Sequence, residues 1–67
     1  MEDFKITMEA ARVNAGYTQQ AVADKMGVTR QTIASWENGR ITPRPSDFNM
    51  FCMVCKAPVD LVILPNA

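Results

Sequence analysis

A chain of 67 residues, 48% hydrophobic and 21% charged, has room for one small globular domain and is neither disordered nor fibrous in composition. Seven lysines and arginines cancel seven acids, which counts against any partner held by bulk electrostatic attraction alone. No apolar run nears the roughly 18 residues of a membrane span and no basic-then-apolar leader opens the chain, so a cytoplasmic protein without membrane contact is expected.

Residues 1–5 read as a polar, fraying lead-in. Thr7 is a good N-cap for a first helix, MEAARVNA, in which Met8, Ala11 and Ala15 recur at helical spacing with Val13 on a flanking stripe. Gly16 ends it. Thr18 caps a second helix, 19–26, whose Val22, Ala23 and Met26 face inward. Gly27 marks a turn where a left-handed backbone costs a residue without a side chain little. Thr29 then caps a third helix running from Arg30 to about Asn38, with Ile33 and Trp36 inward and Asn38-Gly39 as its stop.

Two prolines stiffen RITPRP, residues 40–45, by fixing φ and removing backbone donors. A fourth helix is predicted over about Ser46 to Cys55, since Phe48, Phe51, Cys52 and Cys55 repeat at i, i+3, i+4, i+7. Pro58 and Pro65 bracket VDLVIL, which fits either a short fifth helix or a strand; periodicity does not separate the two at this length. About five helices packed as one all-α unit spanning 1–67 is the expected architecture.

Within that order the stretch QQAVADKMGVTRQTIASWEN, residues 19–38, places its small and apolar residues where a helix-turn-helix needs them. Ala23 lets two crossing helices approach, Gly27 turns the chain, and Val28, Ile33 and Trp36 anchor the pair. The first turn of the second helix in such a motif is the part that reaches base edges in the DNA major groove. Here that turn holds Arg30, Gln31 and Thr32. Arginine can bond guanine O6 and N7 together, glutamine can bond adenine N6 and N7, and the threonine methyl can pack on thymine. Charge distribution supports the same face. Residues 25–44 carry Lys25, Arg30, Arg40 and Arg44 against Glu37 alone, whereas residues 1–10 carry Glu2, Asp3 and Glu9 against Lys5.

The stretch ARVNAGYTQQAVADKMGVTRQTIASWENGR, residues 11–40, resembles the phage Cro/repressor-type helix-turn-helix family, also called XRE-like. The combination of AGYTQ, Ala23, Gly27 and SWENG at 35–39 carries the resemblance. It implies a lambda-repressor-like bundle that binds double-stranded operator DNA, with Arg30, Gln31, Thr32 and, one turn later, Ser35 reading bases. It implies phosphate contacts for Gln19, Asn38 and Arg40, to which Thr29 and Arg44 are added as candidates, and a structural ion pair between Arg12 and Glu37. Dimers in this family commonly form through the C-terminal region. Residues 46–64 are therefore the expected core-and-dimer segment, with Met50, Met53, Val62, Ile63 and Leu64 as its apolar surface.

Cys52-Met53-Val54-Cys55 matches C-x-x-C, yet a redox pair needs its first thiol near a helix N-terminus, and zinc needs ligands beyond these two in a chain without histidine. Both cysteines are expected as buried core thiols. No nucleophile with a positioned base is recognisable, so neither enzymatic activity, a small-molecule substrate nor a cofactor is expected. The leading reading is a small Cro-like transcriptional repressor acting as a homodimer. The alternative is a protein-binding module of the same fold, an antitoxin, anti-repressor or accessory subunit, suggested by the zero net charge and apolar C-terminal third.

Overall fold

The computed structural model describes residues 5–65; residues 1–4 of the expected lead-in lie outside them. In chain order the elements are strand β1 (Ile6–Thr7), helices α1 (Met8–Asn14), α2 (Gln19–Met26), α3 (Arg30–Glu37) and α4 (Pro45–Val54), a single 3-10 turn (Val59–Leu61) and strand β2 (Val62–Ile63).

Three threonines start three helices. The Thr7, Thr18 and Thr29 hydroxyl oxygens accept the amide hydrogens of Ala10, Ala21 and Thr32 at 3.0, 3.0 and 3.1 Å, each satisfying an otherwise unpaired first-turn donor. Helix α4 starts on Pro45 instead, a residue whose missing N–H is no loss in a first turn. Each helix ends with an amide reaching back five residues: Tyr17 to Arg12, Val28 to Ala23, Arg40 to Ser35 and Ala57 to Cys52, all between 3.0 and 3.2 Å. That closure needs one left-handed residue. Gly27 supplies it after α2 at φ 73°, but after α4 it is Lys56, at φ 55°, the one non-glycine residue with positive φ among those described.

The expected fifth helix does not form. VDLVIL divides into the 3-10 turn and β2, which pairs in parallel with β1 in the register Ile6 to Val62 and Thr7 to Ile63. Among the described residues the all-α expectation of about five helices is thus corrected to four α-helices and a two-stranded ladder. The physical reason is long-range: Val62 and Ile63 are β-branched, and a partner strand is available to receive their backbone groups. The core gathers Met8 and Ala11 from α1, Val22 and Ala23 from α2, Ile33 and Trp36 from α3, Phe51, Cys52 and Cys55 from α4 and its cap, and Val62. Val62 is only 6% exposed, so its expected place on a dimer surface is also corrected. The ladder turns it inward beside α1, while Ile63, next along the strand, faces out as the two-residue period requires.

Candidate nucleic-acid interface

Helix α3 buries Ile33 and Trp36 against the core, which turns its first turn outward. Arg30 and Gln31 are exposed there; Thr32 and Ser35, next along the same helix, are half-buried. The Thr32 hydroxyl lies 2.8 Å from that of Thr29, so the two threonines brace one another at the helix start.

Beneath this turn runs a connected set of polar side chains. Arg12 Nε donates to Glu37 Oε2 at 2.7 Å and Arg12 Nη2 to Glu37 Oε1 at 3.0 Å, a two-pronged ion pair with side chains 10% and 4% exposed. The third prong, Arg12 Nη1, donates to the Tyr17 carbonyl at 2.9 Å. One guanidinium therefore ties α1 to the end of α3 and to the entry of α2. The bidentate bond to Glu37 is the largest cause of a guanidinium pKa raised further above its ordinary value, against the opposing effect of burial. Arg12 is cationic at any working pH.

Gln19 extends the chain of contacts. Its Nε2 donates to Glu37 Oε1 at 3.1 Å, and its Oε1 accepts from Arg30 Nη1 at 3.3 Å. The amide keeps one free N–H, because a glutamine side chain has two and Glu37 takes one. Arg30 is thereby steered by the first residue of α2 while four of its five donors stay available. A guanidinium held that way can present its fork to guanine O6 and N7.

The remaining candidates lie at the far end of α3 and beyond. Asn38 Oδ1 accepts the Arg40 backbone amide at 2.8 Å, which folds the loop back and leaves the Asn38 NH2 to donate outward. Arg40 is exposed. Arg44 has an 81% exposed side chain but shares its charge with Asp47, Nε to Oδ2 at 3.2 Å. Thr29 has its hydroxyl engaged by Thr32, so a phosphate reaching it would share that group.

A model of the helix-turn-helix family matches residues 8–60. The chain belongs to the XRE-type helix-turn-helix family. It is accordingly a DNA-binding domain of a transcription-regulator class, one not typically enzymatic. No curated protein and no solved structure matches it significantly. Among the described residues no helix is long and apolar enough to cross a membrane, and no three His, Cys, Asp or Glu side chains converge as a metal site.

In this XRE-type domain the apolar C-x-x-C pair is structural in setting. Cys52 and Cys55 are free and buried. Burial raises both thiol pKa values, that of Cys55 to about 11 with a further contribution from neighbouring Cys52. Of the expected dimer residues, Met53 is 76% exposed and Met50 and Ile63 are exposed in part. Leu64 packs partly on the core.

Periodicity misses Tyr17, half-buried, with Lys25 Nζ 5.2 Å from its ring centroid. It misses Pro43, buried within the loop that follows α3. The Gln19 link to Arg30 is also missed: the residues stand eleven apart on different helices, and only their crossing brings them together.

Proposed function

We propose that this XRE-type domain is a Cro-like repressor of phage or prophage origin, working in the cytoplasm and binding a two-fold operator as a homodimer. The observation that carries the reading is the exposed first turn of α3, with Arg30 anchored by Gln19 to the buried Arg12–Glu37 pair. Each subunit lays α3 in the major groove of one half-site, the two centres about 34 Å apart. Arg30 takes a guanine and Gln31 an adenine, Thr32 packs its methyl on thymine, and Ser35 reads one turn further along. Gln19, Thr29, Asn38, Arg40 and Arg44 hold phosphates on either side. Met50, Met53, Ile63 and the exposed part of Leu64 supply the subunit contact, apolar surface that a domain this small has reason to cover. Repression is then steric, by occupation of the operator.

Selection from random duplexes tests the reading and should return a palindromic consensus. Arg30→Ala should cost about 1–3 kcal/mol and relax one base pair per half-site. Gln19→Ala should weaken every sequence and also blur that same base pair, because it releases Arg30. A footprint insensitive to Arg30→Ala refutes the assignment. The second reading, a protein-binding module, is favoured by the bare Met53 side chain and the zero net charge. It requires partner binding nearly independent of salt, where a DNA complex loses affinity with a log–log slope of about −0.9 per phosphate neutralised.

A further inference from the structure

A polar cleft of about 180 Å³ opens between the starts of α1 and α2 and the end of α3, lined by Glu9, Gln19, Ala34, Glu37 and Asn38. Two of these, Gln19 and Asn38, are side chains to which the proposed function gives phosphate contacts, and each has amide hydrogen left to donate. Two others are carboxylates in very different states. Glu37 is neutralised by Arg12 and receives a further bond from Gln19. Glu9 is exposed, and among the described residues its carboxylate has no ion pair. Its neighbour Arg12 feels its charge, but each of that guanidinium's three nitrogens already donates to Glu37 or Tyr17. Glu9, Arg12 and Glu37 together therefore present one uncompensated negative charge to the cleft.

We propose that Glu9 is an electrostatic brake on DNA binding: it repels the backbone phosphate that Gln19 and Asn38 attract, lowering the affinity for every duplex without reading sequence. This rests on the DNA reading of the face. The effect suits a chain with few cations, since a weak sequence-independent hold leaves discrimination to the α3 side chains. It also differs from the ordinary use of a first-turn acid, which is to complement the dipole of its own helix. A dipole role affects folding; a brake affects the salt dependence of binding.

The experiment measures binding of the selected operator and of a random duplex across a salt series, by mobility shift and fluorescence anisotropy, for the wild type, Glu9→Gln and Glu9→Asp. Glu9→Gln should tighten both duplexes about three- to tenfold at low salt, as expected for removing one like charge near a phosphate in a watery cleft. It should also steepen the log–log salt slope by up to about 0.9. Glu9→Asp keeps the charge and should behave as the wild type. Unfolding midpoints of all three proteins locate any change in folding separately. If the wild type binds in an Arg30-dependent way and Glu9→Gln is indistinguishable from it, or weaker, the brake is overturned while the DNA reading stands. If no duplex is bound by any of the three, both are overturned.

Discussion

Replacing Arg12 by methionine should remove most of the stability of the domain, and replacing Glu37 as well should restore it. In the single variant Glu37, whose side chain is 4% exposed, loses bonds of 2.7 and 3.0 Å and keeps only the 3.1 Å bond from Gln19. Breaking a buried pair from one side costs about 3–5 kcal/mol, because the stranded charge has no replacement for its partner. The Tyr17 carbonyl loses a donor too, worth about 1 kcal/mol unless water replaces it. A domain of this length has roughly 3–10 kcal/mol in total, so Arg12→Met should lose from about half to all of it. The double variant Arg12→Met/Glu37→Leu has no charge to strand, and apolar replacement of a buried pair is often neutral or better. Urea unfolding followed by Trp36 fluorescence is the assay, since that indole is buried one residue before Glu37. A single-variant loss below about 1 kcal/mol, or a double variant no more stable than Arg12→Met, would show that the pair is solvent-screened and the argument wrong.

Helix ends offer a reciprocal pair. Lys56→Gly should raise stability by about 0.5–1 kcal/mol in thermal unfolding, since Lys56 holds φ 55° that glycine adopts freely. Gly27→Ala should cost about 1 kcal/mol through conformation alone, because a Cβ there meets nothing within 4 Å. The cysteines set an alkaline limit: the folded Cys55 pKa, raised to about 11 from 9.0, means the native state keeps a proton that the unfolded chain releases. The Cys55 contribution should therefore be constant below about pH 9 and fall on the order of 2 kcal/mol as pH rises through 11, with a shallower alkaline slope in Cys55→Ala over a pH series of denaturant midpoints. Finally, at concentrations where the domain is monomeric, Val62→Ala should cost about 1–2 kcal/mol in unfolding measurements and Met53→Ser less than about 0.5, since Val62 is buried and Met53 exposed.

The helix-turn-helix was legible because its signals are local. Thr18 and Thr29 are caps whose partners lie three residues on, and Gly27 turns the chain with its own backbone. VDLVIL was not legible because its conformation is decided by Ile6 and Thr7, near the opposite end of the described chain. The same pairing sends Val62 inward, which no count along the segment reveals. Exposure of Arg30 and Gln31 follows from the burial of Ile33 and Trp36, so their outward placement was readable. The tether on Arg30 and the cleft at Glu9 depend on how helices cross. The Arg12–Glu37 pair came from resemblance to a family rather than from the spacing of the two residues.

The pairing of β1 with β2 also bears on the order in which the chain acquires structure as it leaves the ribosome. Helices α2 and α3 are neighbours in sequence and can dock as soon as both have emerged. The apolar cluster around Met8, by contrast, is sealed by Val62, among the last described residues to be synthesised. Until that valine arrives, the nascent domain holds its crossed helix pair over an interior still open at Met8.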